Sequence, residues 1–503
     1  MGPWKLRCAS LASLHLWLTC ANSAVLARTD IRSWLSASSN HWSPNTTIGY
    51  PGSADFLNST ERWTLFSAPT YSAVITPGTE ADVAKVVNLA NAHHVPFLAT
   101  AGRHGYTTTL GQLDDGLAID LSAFNSVNVN ANAATVTLGG GTKASQVFDP
   151  LYNAGFQIQS GSCSCPGYVG VSLGGGVGRY QGVFGLLIDA LLSVRMVTAK
   201  GQIITVSAGS NPDLFWGIRG AGFNFGIVLS ATYKIQPLIN KGQITNVDFI
   251  FPRNLSSAYF DALQTYNGSM PSKLATVSLI NYNESTSSTQ VVANWVYLGA
   301  VADARKALAP IFALNPPTAD VSYVPWNKLL ATSGWGEFDA EVCQKNVSRN
   351  LYSTVIRNIS ASTYKTAFTK METFFNTNPN ARYSSVEFEI FPNQAMLAVP
   401  DGQTAYPWRD ALGYVSQSYA GWAVDDTTTQ AAAASMARQL RTDFAATSGY
   451  PNLTIYVSYA HGDESLESKY GKSKLPRLAA LKKIWDPSNV FGFNNALPTS
   501  YPG

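Results

Sequence analysis

Short runs of alternating apolar and polar residues, separated by stretches with helical spacing, fill the chain from about residue 65 to residue 240. Alternation with a period of two is typical of half-buried strands, whereas apolar residues three and four apart are typical of helices. The spacing predicts helices over 80–92 and 144–153. It predicts strands at 72–76, 95–98, 117–121, 134–138, 194–197 and 203–206. Strands and helices mixed in this order indicate an α+β region.

A different pattern begins near residue 241 and continues to about residue 450. Longer alternating runs, such as 276–280 and 291–296, occur among amphipathic stretches such as 428–446. This pattern predicts a second domain over 241–450, in which helices cover an antiparallel sheet.

The last segment, 451–503, combines both kinds of signal. An alternating run at 454–459 predicts a strand, and helical spacing over 475–484 predicts a helix that Asp486 and Pro487 end. The pattern alone does not decide which domain this segment packs on.

The composition narrows the class of protein. Charged residues make up 13% of the chain, about half the usual share, and aromatic residues make up 12%. The formal net charge is +3, with no basic cluster, so nucleic-acid binding is not expected. A low charge content together with many aromatic residues favours an extracellular enzyme.

The N-terminus has the features of a secretory signal peptide. Lys5 and Arg7 precede an apolar run over 11–18, and small residues around Ala24 and Ala27 offer cleavage sites. We expect residues 1–24 to be the signal peptide and the protein to enter the secretory pathway. The alternative is a buried N-terminal helix. The apolar run is too short to cross a membrane and no later run is longer, so no membrane span is expected.

Eight N-x-S/T sequons support secretion and predict glycosylated, surface-exposed asparagines. They begin at Asn45, Asn58, Asn254, Asn267, Asn283, Asn346, Asn358 and Asn452.

The cysteine count is odd after signal removal. Cys8 and Cys20 would leave with the signal peptide, so Cys163, Cys165 and Cys343 remain and at least one thiol has no partner within the chain. Cys163 and Cys165 are too close in sequence to pair readily with each other. No further His or Cys lies near them in sequence, so no metal site is expected.

Two glycine clusters, 173–178 and 220–226, allow close approach of a ligand to the backbone, and free N–H groups there suit a pyrophosphate. Neither matches G-x-G-x-x-G, so a Rossmann fold is not indicated. Taken singly, each cluster is as readily explained as a tight turn.

The order of the motifs is more informative than any single one. The chain contains Gly102-Arg-His-Gly-Tyr106, Ile119-Asp-Leu-Ser122, Cys163 ahead of Gly174-Gly-Gly-Val-Gly178, Gly185-Leu-Leu-Ile-Asp189, Asp213-Leu-Phe-Trp-Gly-Ile-Arg-Gly220 and Asn224-Phe-Gly-Ile-Val228. This series closely resembles the FAD-binding domain of the vanillyl-alcohol oxidase and p-cresol methylhydroxylase (PCMH) superfamily, and within it the berberine-bridge-enzyme-like oxidases of fungal secondary metabolism. The resemblance returns in Tyr456-Val-Ser-Tyr459 and Trp485-Asp-Pro-Ser-Asn-Val-Phe491.

The resemblance implies a PCMH-type FAD-binding domain of two α+β subdomains over 65–240, a substrate domain over 241–450 and a C-terminal segment that returns to the flavin. It implies that His104 is bonded covalently to the flavin 8-methyl group, although Arg103 stands where the family usually has glycine. The alternative is an ordinary buried histidine. The spacing to the triple glycine places Cys163 as a second link. A free thiol beside the flavin, or a disulfide from one of the two cysteines to Cys343, remains open.

The same resemblance supplies the other cofactor contacts. Backbone of the His104 loop and of the first glycine cluster would hold the pyrophosphate, and a third group would support the adenine side, where Asp189 and Ile227 are equally explained as structural. The predicted residues are Thr100, Ala101, Gly102, Arg103, Gly105, Tyr106, Gly170, Gly174, Gly175, Gly176, Gly178, Gly185, Asp189, Ile227 and Val228.

Two carboxylates are the candidate catalytic bases. Period-2 alternation over 384–391 places Glu387 and Glu389 on one face of an otherwise apolar strand, where burial without a function or partner would be costly. A glutamate with a raised pKa there would deprotonate a substrate hydroxyl. A solvent-facing or arginine-paired strand is the alternative. Tyr456 and Tyr459 are competing acid–base candidates, the segment 406–409 is interpreted as structural, and His461 is placed on a surface loop.

The resemblance implies an FAD-dependent oxidase that removes hydride from an alcohol, amine or sugar-type C–H and is reoxidised by O₂, within natural-product biosynthesis. Its partners would be a small-molecule substrate and O₂. One alternative keeps the flavin but is a redox-neutral cyclase or isomerase. Another, from a different class, is a non-enzymatic secreted binding protein.

Overall fold

The computed structural model describes residues 31–423 and 425–502. The predicted signal peptide, 1–24, lies outside this part of the chain. No helix among the described residues is long and apolar enough to cross a bilayer.

The first lobe, residues 31–240, contains short strands and helices in the mixture that the pattern predicts. Its strands are β1 (Thr47–Gly49), β2 (Tyr71–Thr76), β3 (Phe97–Thr100), β4 (Gly116–Asp120), β5 (Val127–Asn130), β6 (Thr135–Gly139), β7 (Phe156–Gln157), β8 (Leu191–Val197), β9 (Ile203–Ser207), β10 (Ile227–Lys234) and β11 (Gln236–Pro237). Its helices are α1 (Ile31–Leu35), α2 (Ala54–Thr60), α3 (Glu80–Ala92), α4 (Ala144–Asn153), α5 (Tyr168–Gly174), α6 (Gln181–Phe184), α7 (Leu187–Ala190) and α8 (Pro212–Ala221).

Two sheets divide this lobe into two α+β units, as the resemblance implies. The first sheet has the order β1-β2-β4-β3 and the second the order β5-β6-β10-β8-β9. Helix α3 covers the first sheet: Thr79 caps its N-terminus, and Val83, Val86, Val87 and Ala90 are buried at helical spacing. The loop after β3 carries His104, so this sheet supports one wall of the site described below.

The second lobe, residues 241–450, is a large sheet with helices on one face. Its strands are β12 (Gln243–Phe251), β13 (Leu274–Asn283), β14 (Ser288–Tyr297), β15 (Thr318–Pro325), β16 (Asn350–Ile356), β17 (Ser385–Ile390) and β18 (Gly413–Tyr419). Its helices are α9 (Arg253–Gln264), α10 (Val301–Ala307), α11 (Ala309–Phe312), α12 (Leu329–Thr332), α13 (Glu337–Val342), α14 (Ala361–Thr377), α15 (Gln394–Leu397) and α16 (Thr427–Thr447).

The seven strands are antiparallel throughout, in the order β15-β12-β14-β13-β17-β18-β16. Val386, Phe388 and Ile390 of β17 belong to the core that the sheet shares with α9, α14 and α16. The opposite face of β17 carries Glu387 and Glu389, because successive side chains of a strand alternate between faces. This face is turned toward the first lobe and forms the floor of a cavity.

The C-terminal segment contains α17 (Leu466–Tyr470) and α18 (Leu475–Trp485). Helix α18 packs on the first lobe, where Lys482 Nζ donates to Asn224 O. The strand predicted at 454–459 is wrong: these residues form an extended stretch that ends in a 3₁₀ turn, Val457–Tyr459. Ser353 and Val355 of β16 bond to the backbone of this stretch, through a side chain and a backbone N–H, without forming a ladder. Apolar and polar residues alternate in this segment because it is buried between both lobes.

Candidate active site

A cavity of about 740 Å³ lies between the two lobes and is closed at one end by the C-terminal segment. Its size falls in the range of cofactor and substrate sites. The first lobe contributes the loop around His104, residues of the segment 159–170, and Gly176, Val177 and Arg179. The second lobe contributes side chains of β13, β17 and β18, and the C-terminal segment contributes Tyr456, Ser458 and Tyr459.

His104 lies on the loop after β3 and stacks on Trp63, with ring centroids 4.2 Å apart. Its Nε2 atom is buried and has no hydrogen-bond partner. Burial, and then the positive charge of Arg349, lower the pKa of His104 to about 3. The imidazole is therefore neutral at all ordinary pH values, as a nucleophilic nitrogen must be.

Cys163 is a free thiol on the same cavity wall. Potential donor atoms of His104, Cys163 and Cys165 all lie within 4.8 Å of one another. An imidazole is thus close to the cysteines in space, although none is near in sequence. Because Cys165 is disulfide-bonded, only two free donors remain, too few for a structural metal site.

Cys165, and not Cys163, forms the disulfide with Cys343. A flavin link at Cys163 stays a prediction. Residues 337–349 of the second lobe form a strap over the His104 end of the cavity. Ser164 N and Oγ donate to the two carboxylate oxygens of Asp339, and Trp63 Nε1 donates to Val342 O. The disulfide therefore ties this strap to the loop that carries Cys163.

Arg103, the residue that departs from the family pattern, adopts φ = 53°, a conformation that favours glycine. Its guanidinium donates to Asp120 at 2.9 Å and to the backbone of Glu61 and Asn58. These bonds hold the guanidinium against Asp120 and the backbone of residues 58–61.

Glycines on the cavity wall provide space for a bound group. A β-carbon at Gly161 or Gly170 would meet no protein atom within 4 Å, and both residues line the cavity. Thr100 Oγ1 and His104 Nε2 are buried there without partners. Glycine surfaces beside unpartnered polar atoms fit a large, polar cofactor such as FAD, which is what the residue pattern implies.

The predicted cofactor residues divide into two groups. Those that line the cavity are Thr100, Ala101, Gly102, Arg103, His104, Gly105, Tyr106, Cys163, Gly170 and Gly176. Gly174, Gly175 and Gly178 lie behind the wall, where added β-carbons would collide with Ser458, Tyr406 and Ser160. Ile227 and Val228 are core residues of β10, and the Asp189 carboxylate accepts from Leu186 N and pairs with Arg409. Contacts of Gly174, Gly175 and Gly178 with the pyrophosphate stay a prediction. So do contacts of Gly185, Asp189, Ile227 and Val228 with the adenine side.

Glu389 and Tyr459 form a hydrogen-bonded pair on the cavity wall. Tyr459 Oη donates to Glu389 Oε2 at 2.9 Å, and Ser162 Oγ donates to Glu389 Oε1 at 2.7 Å. Burial raises the pKa of Glu389, while the two donors oppose that rise. Burial, and then the charge of Glu389, raise the pKa of Tyr459 well above its ordinary value. Tyr459 is therefore a neutral phenol, and Glu389 is the basic member of the pair.

Glu387 lies two residues before Glu389 on the same face of β17 and also borders the cavity. Burial, followed by repulsion from Glu389, raises the pKa of Glu387 to about 8. Glu389 accepts two hydrogen bonds, whereas Glu387 has a like charge beside it, so the two neighbouring carboxylates differ in their surroundings. The alternative of a solvent-facing or arginine-paired strand is wrong, since both glutamates face the cavity.

The structure also shows the surroundings of Tyr456, Tyr106, His461 and the segment 406–409. Tyr456 Oη accepts from Gly176 N at 3.0 Å, so this tyrosine positions the glycine turn. Tyr106 stacks near Tyr459. The surface-loop placement of His461 is wrong: the ring is buried, stacks on Tyr352, and its Nδ1 is 2.9 Å from Leu351 O. Arg409 of the segment 406–409 is structural, as predicted, through its pair with Asp189.

Sequence reasoning missed Ser162, Trp63 and Arg179 on the cavity wall. For Arg179 a signal was present, because a charged residue directly follows the glycine cluster in an apolar stretch. The sequence carried no such signal for Ser162 and Trp63. Ser162 contacts Glu389 and Trp63 contacts His104, and both contacts join residues that are far apart in the chain.

Comparison with known proteins agrees with this site. A family model described as FAD binding domain matches residues 71–207, and one described as berberine and berberine like matches residues 455–498. The FAD-linked oxidoreductase fogF of Aspergillus ruber is 49% identical over 489 residues, which cover 97% of each chain. The FAD-linked oxidoreductase srdI of Neurospora crassa is 45% identical over 474 residues, 94% of each chain.

Solved structures show the same fold. Wild-type BBE-like 1 of Physcomitrella patens superposes with a TM-score of 0.77 at 23% identity, and a chitooligosaccharide oxidase with 0.77 at 22%. Each match covers 91% of this chain and 98% of the other. With its cofactor FAD, the chain belongs to the berberine-bridge-enzyme-like family of FAD-linked oxidoreductases.

Proposed function

We propose that the protein is an oxidase that removes hydride from a carbon bearing a hydroxyl group and passes the electrons to O₂. The observation that carries this proposal is the hydrogen bond from Tyr459 to Glu389, in the cavity that His104 and Cys163 also line. A carboxylate behind a phenol is a route for a proton out of a dry site.

The proton path follows from the pair. The substrate hydroxyl donates to Tyr459 Oη while Tyr459 passes its own proton to Glu389 Oε2, so that Glu389 becomes the acid and the phenol is restored. Ser162 holds the carboxylate in place at its other oxygen. FAD held in this cavity would supply the hydride-acceptor chemistry for the same carbon, and the substrate would leave as a carbonyl compound. In the second half-reaction, O₂ takes up two electrons and two protons and becomes hydrogen peroxide.

We further propose that His104 and Cys163 both attach the flavin covalently. Their donor atoms lie within 4.8 Å of each other, close enough to reach neighbouring positions on one ring edge. The neutral imidazole supports attachment through nitrogen. Burial raises the pKa of the Cys163 thiol, so this link needs the electrophilic ring to be bound before the thiolate forms.

The wider setting of this activity is also a proposal. The relatives named FAD-linked oxidoreductases come from fungi, and similar structures carry the titles chitooligosaccharide oxidase and xylooligosaccharide oxidase. The two oxidase titles support oxidation of a sugar hydroxyl. The secreted setting is proposed from the N-terminal pattern and the sequons, and the role in natural-product metabolism from the resemblance of the motifs. The serines Ser385, Ser416 and Ser418 on the cavity floor suit a hydroxylated substrate.

The test is a panel of alcohols and sugars mixed anaerobically with the holoenzyme, followed by admission of O₂. A true substrate should bleach the oxidised flavin, and O₂ should restore it with one hydrogen peroxide per carbonyl formed. Glu389→Gln should slow bleaching about 10²–10⁴-fold, the usual worth of a general base. Tyr459→Phe should slow it in the same direction, and the exposed Glu284→Gln should not change it.

Two outcomes would contradict the proposal. Bleaching by Glu389→Gln at the wild-type rate would remove the base assignment. Product formation without O₂ uptake or peroxide would indicate the redox-neutral cyclase or isomerase instead.

A further inference from the structure

The floor of the cavity carries four polar side chains that the proposed proton path does not use. Ser385 and Glu387 belong to β17, and Ser416 and Ser418 belong to β18. Each is half-buried between two buried neighbours in its strand, so its side chain points from the sheet into the cavity. No described residue forms a hydrogen bond with these four side chains. They form the floor patch, whose carboxyl and three hydroxyls are available to a ligand.

The register of the sheet makes the floor patch compact. Glu387 is opposite Ser416, and Ser385 is opposite Ser418. Opposite residues of neighbouring strands lie about 5 Å apart, and residues two apart on one strand lie about 7 Å apart. The floor patch is therefore comparable in size with one six-membered ring and its substituents.

The floor patch lies between the proton-accepting pair and the rim of the cavity. Glu389 follows Glu387 by two residues on the same face of β17, and its carboxylate accepts from Tyr459. In the other direction, Tyr383 precedes Ser385 by two residues, lines the cavity and is 85% exposed. A substrate that enters past Tyr383 and presents its reacting hydroxyl to Tyr459 therefore has the rest of its length over the floor patch.

The chemistry of the floor patch selects the group that it binds. A carboxyl bonds to a hydroxyl in both of its protonation states, because the acid donates and the carboxylate accepts. A serine hydroxyl also donates and accepts. Leu279, which is opposite Glu387 on β13, gives the other side of Glu387 an apolar wall. A hydroxyl group carried on an apolar ring or chain matches all of these contacts.

We propose that Glu387, together with Ser416, binds a second hydroxyl group of the substrate, about 7 Å from the hydroxyl that is oxidised. The substrate is therefore a diol in which a ring, or a chain of similar length, separates the two hydroxyls. Glu387 determines specificity, whereas Glu389 and Tyr459 handle the proton. This inference rests on the proposed function, because it takes Glu389 and Tyr459 as the place where the substrate reacts.

The experiment uses two alcohols of nearly equal shape, 1,4-benzenedimethanol and 4-ethylbenzyl alcohol, which differ in the second hydroxyl. Each alcohol is mixed anaerobically with the holoenzyme. The dependence of flavin bleaching on alcohol concentration gives the dissociation constant, and its plateau gives the rate of hydride transfer. For an alcohol that is not oxidised, the shift of the flavin absorption band gives the dissociation constant. Wild-type protein should bind the diol more tightly than the ethyl compound.

Substitutions in the floor patch should change this preference. Glu387→Leu should lower the affinity for the diol, relative to the ethyl compound, about tenfold, the worth of one good hydrogen bond. Glu387→Gln should keep most of the preference, because an amide also donates and accepts. Ser416→Ala should lower the preference by less than Glu387→Leu does. The matched control is Glu284→Leu, at an exposed glutamate, which should keep the wild-type preference.

An unchanged relative affinity in Glu387→Leu would overturn the proposal, and so would a wild type that binds neither alcohol. Lower plateau rates in Glu387→Leu and Glu387→Gln with unchanged relative affinity would make Glu387 a base instead. Tighter binding of 4-(aminomethyl)benzyl alcohol than of the diol would assign the floor patch to cations.

Two further outcomes are decisive. If Glu387→Leu does not hold flavin, Ser416→Ala decides, and a wild-type preference in that variant would refute the proposal. A diol preference that Glu387→Leu removes, without peroxide formation by the wild type, would support the binding of the second hydroxyl and contradict only the oxidase proposal.

Discussion

Neighbouring side chains of the same type do different chemistry here because their immediate contacts differ. Glu389 receives two hydrogen bonds, from Ser162 and Tyr459, whereas Glu387 is buried beside a like charge. His104 is stripped of water and lies near Arg349, so its nitrogen is free of a proton. At this scale a hydrogen bond or a neighbouring charge decides which group accepts a proton and which holds one.

Single substitutions at His104 and Cys163 should distinguish the flavin bond of one residue from that of the other. In acid-precipitated protein we expect wild-type peptides in which the flavin bridges both residues, because their donor atoms are within 4.8 Å of each other. His104→Ala should leave flavin only on the Cys163 peptide, and Cys163→Ser only on the His104 peptide. Mass spectrometry of the proteolysed flavin peptides measures this. Flavin that remains soluble after precipitation of the wild type would show that neither bond forms.

Glu387 should make stability depend on pH. Its carboxyl ionises near its ordinary value when unfolded and only near pH 8 when folded, so ionisation penalises the folded state between these values. Wild-type stability should therefore fall as the pH rises through that window. At about pH 9, the melting temperature of Glu387→Gln should lie above that of the wild type. At a pH below the pKa of the unfolded glutamate, the two melting temperatures should be equal. The exposed Glu284→Gln should have the wild-type melting temperature at both pH values. Melting temperatures of Glu387→Gln and wild type that change with pH in the same way would contradict the raised pKa of Glu387.

At the scale of elements, the strap 337–349 joins the two lobes through residues that are far apart in the sequence. Cys165 and Cys343 are 178 residues apart in sequence, and Lys345 adds an ion pair with Glu61. Such a crosslink restricts the unfolded chain strongly because the closed loop is long. The same strap provides Val342 O, which accepts from Trp63, the ring on which His104 stacks. One element therefore both crosslinks the two lobes and supports the ring beside His104.

Cys343→Ser should lower the free energy of unfolding by about 2–4 kcal/mol, the usual worth of a native disulfide. It should also reduce the fraction of covalently bound flavin, since the strap supports Trp63. Thermal melting and flavin content measure the two effects. Cys165→Ser should behave alike, and Cys163→Ser should keep the melting temperature because it leaves the disulfide intact. A Cys343→Ser variant that melts like the wild type would show that the strap holds without the bond.

At the scale of the whole molecule, the eight sequons are distributed over the surface. Seven of the asparagines are exposed, and Asn283 is half-buried with its amide donating to Gln290. If the protein passes through the secretory pathway, the exposed sites other than Asn346, whose amide donates to Glu61, can carry glycans without loss of a hydrogen bond from the amide nitrogen. At Asn283 a glycan would replace the hydrogen bond to Gln290. Glycopeptide mass spectrometry of secreted protein should find glycans at exposed sites and low occupancy at Asn283. An unchanged mass after deglycosylation would contradict the prediction.

The elements were largely predictable from sequence, whereas their contacts were not. Helix α3 and β17 follow from local spacing, because burial of one face imposes a period that the residues must show. The stretch 454–459 alternates like a strand yet forms no ladder, since it is buried by two lobes instead of by sheet neighbours. Burial sets the residue type, but hydrogen-bonding partners set the secondary structure.

The sequence by itself indicated the cofactor and the chemical class, because its ordered glycines, histidine and cysteine resemble those of a known family of flavin enzymes. It also placed Glu387 and Glu389 on one face of one strand, since alternation is a local property. Only the tertiary structure decided which glutamate accepts hydrogen bonds from Ser162 and Tyr459, which cysteine is free and that Arg179 lines the cavity. Those outcomes depend on desolvation and on contacts between residues far apart in the chain, such as Ser162 with Glu389 and Cys165 with Cys343.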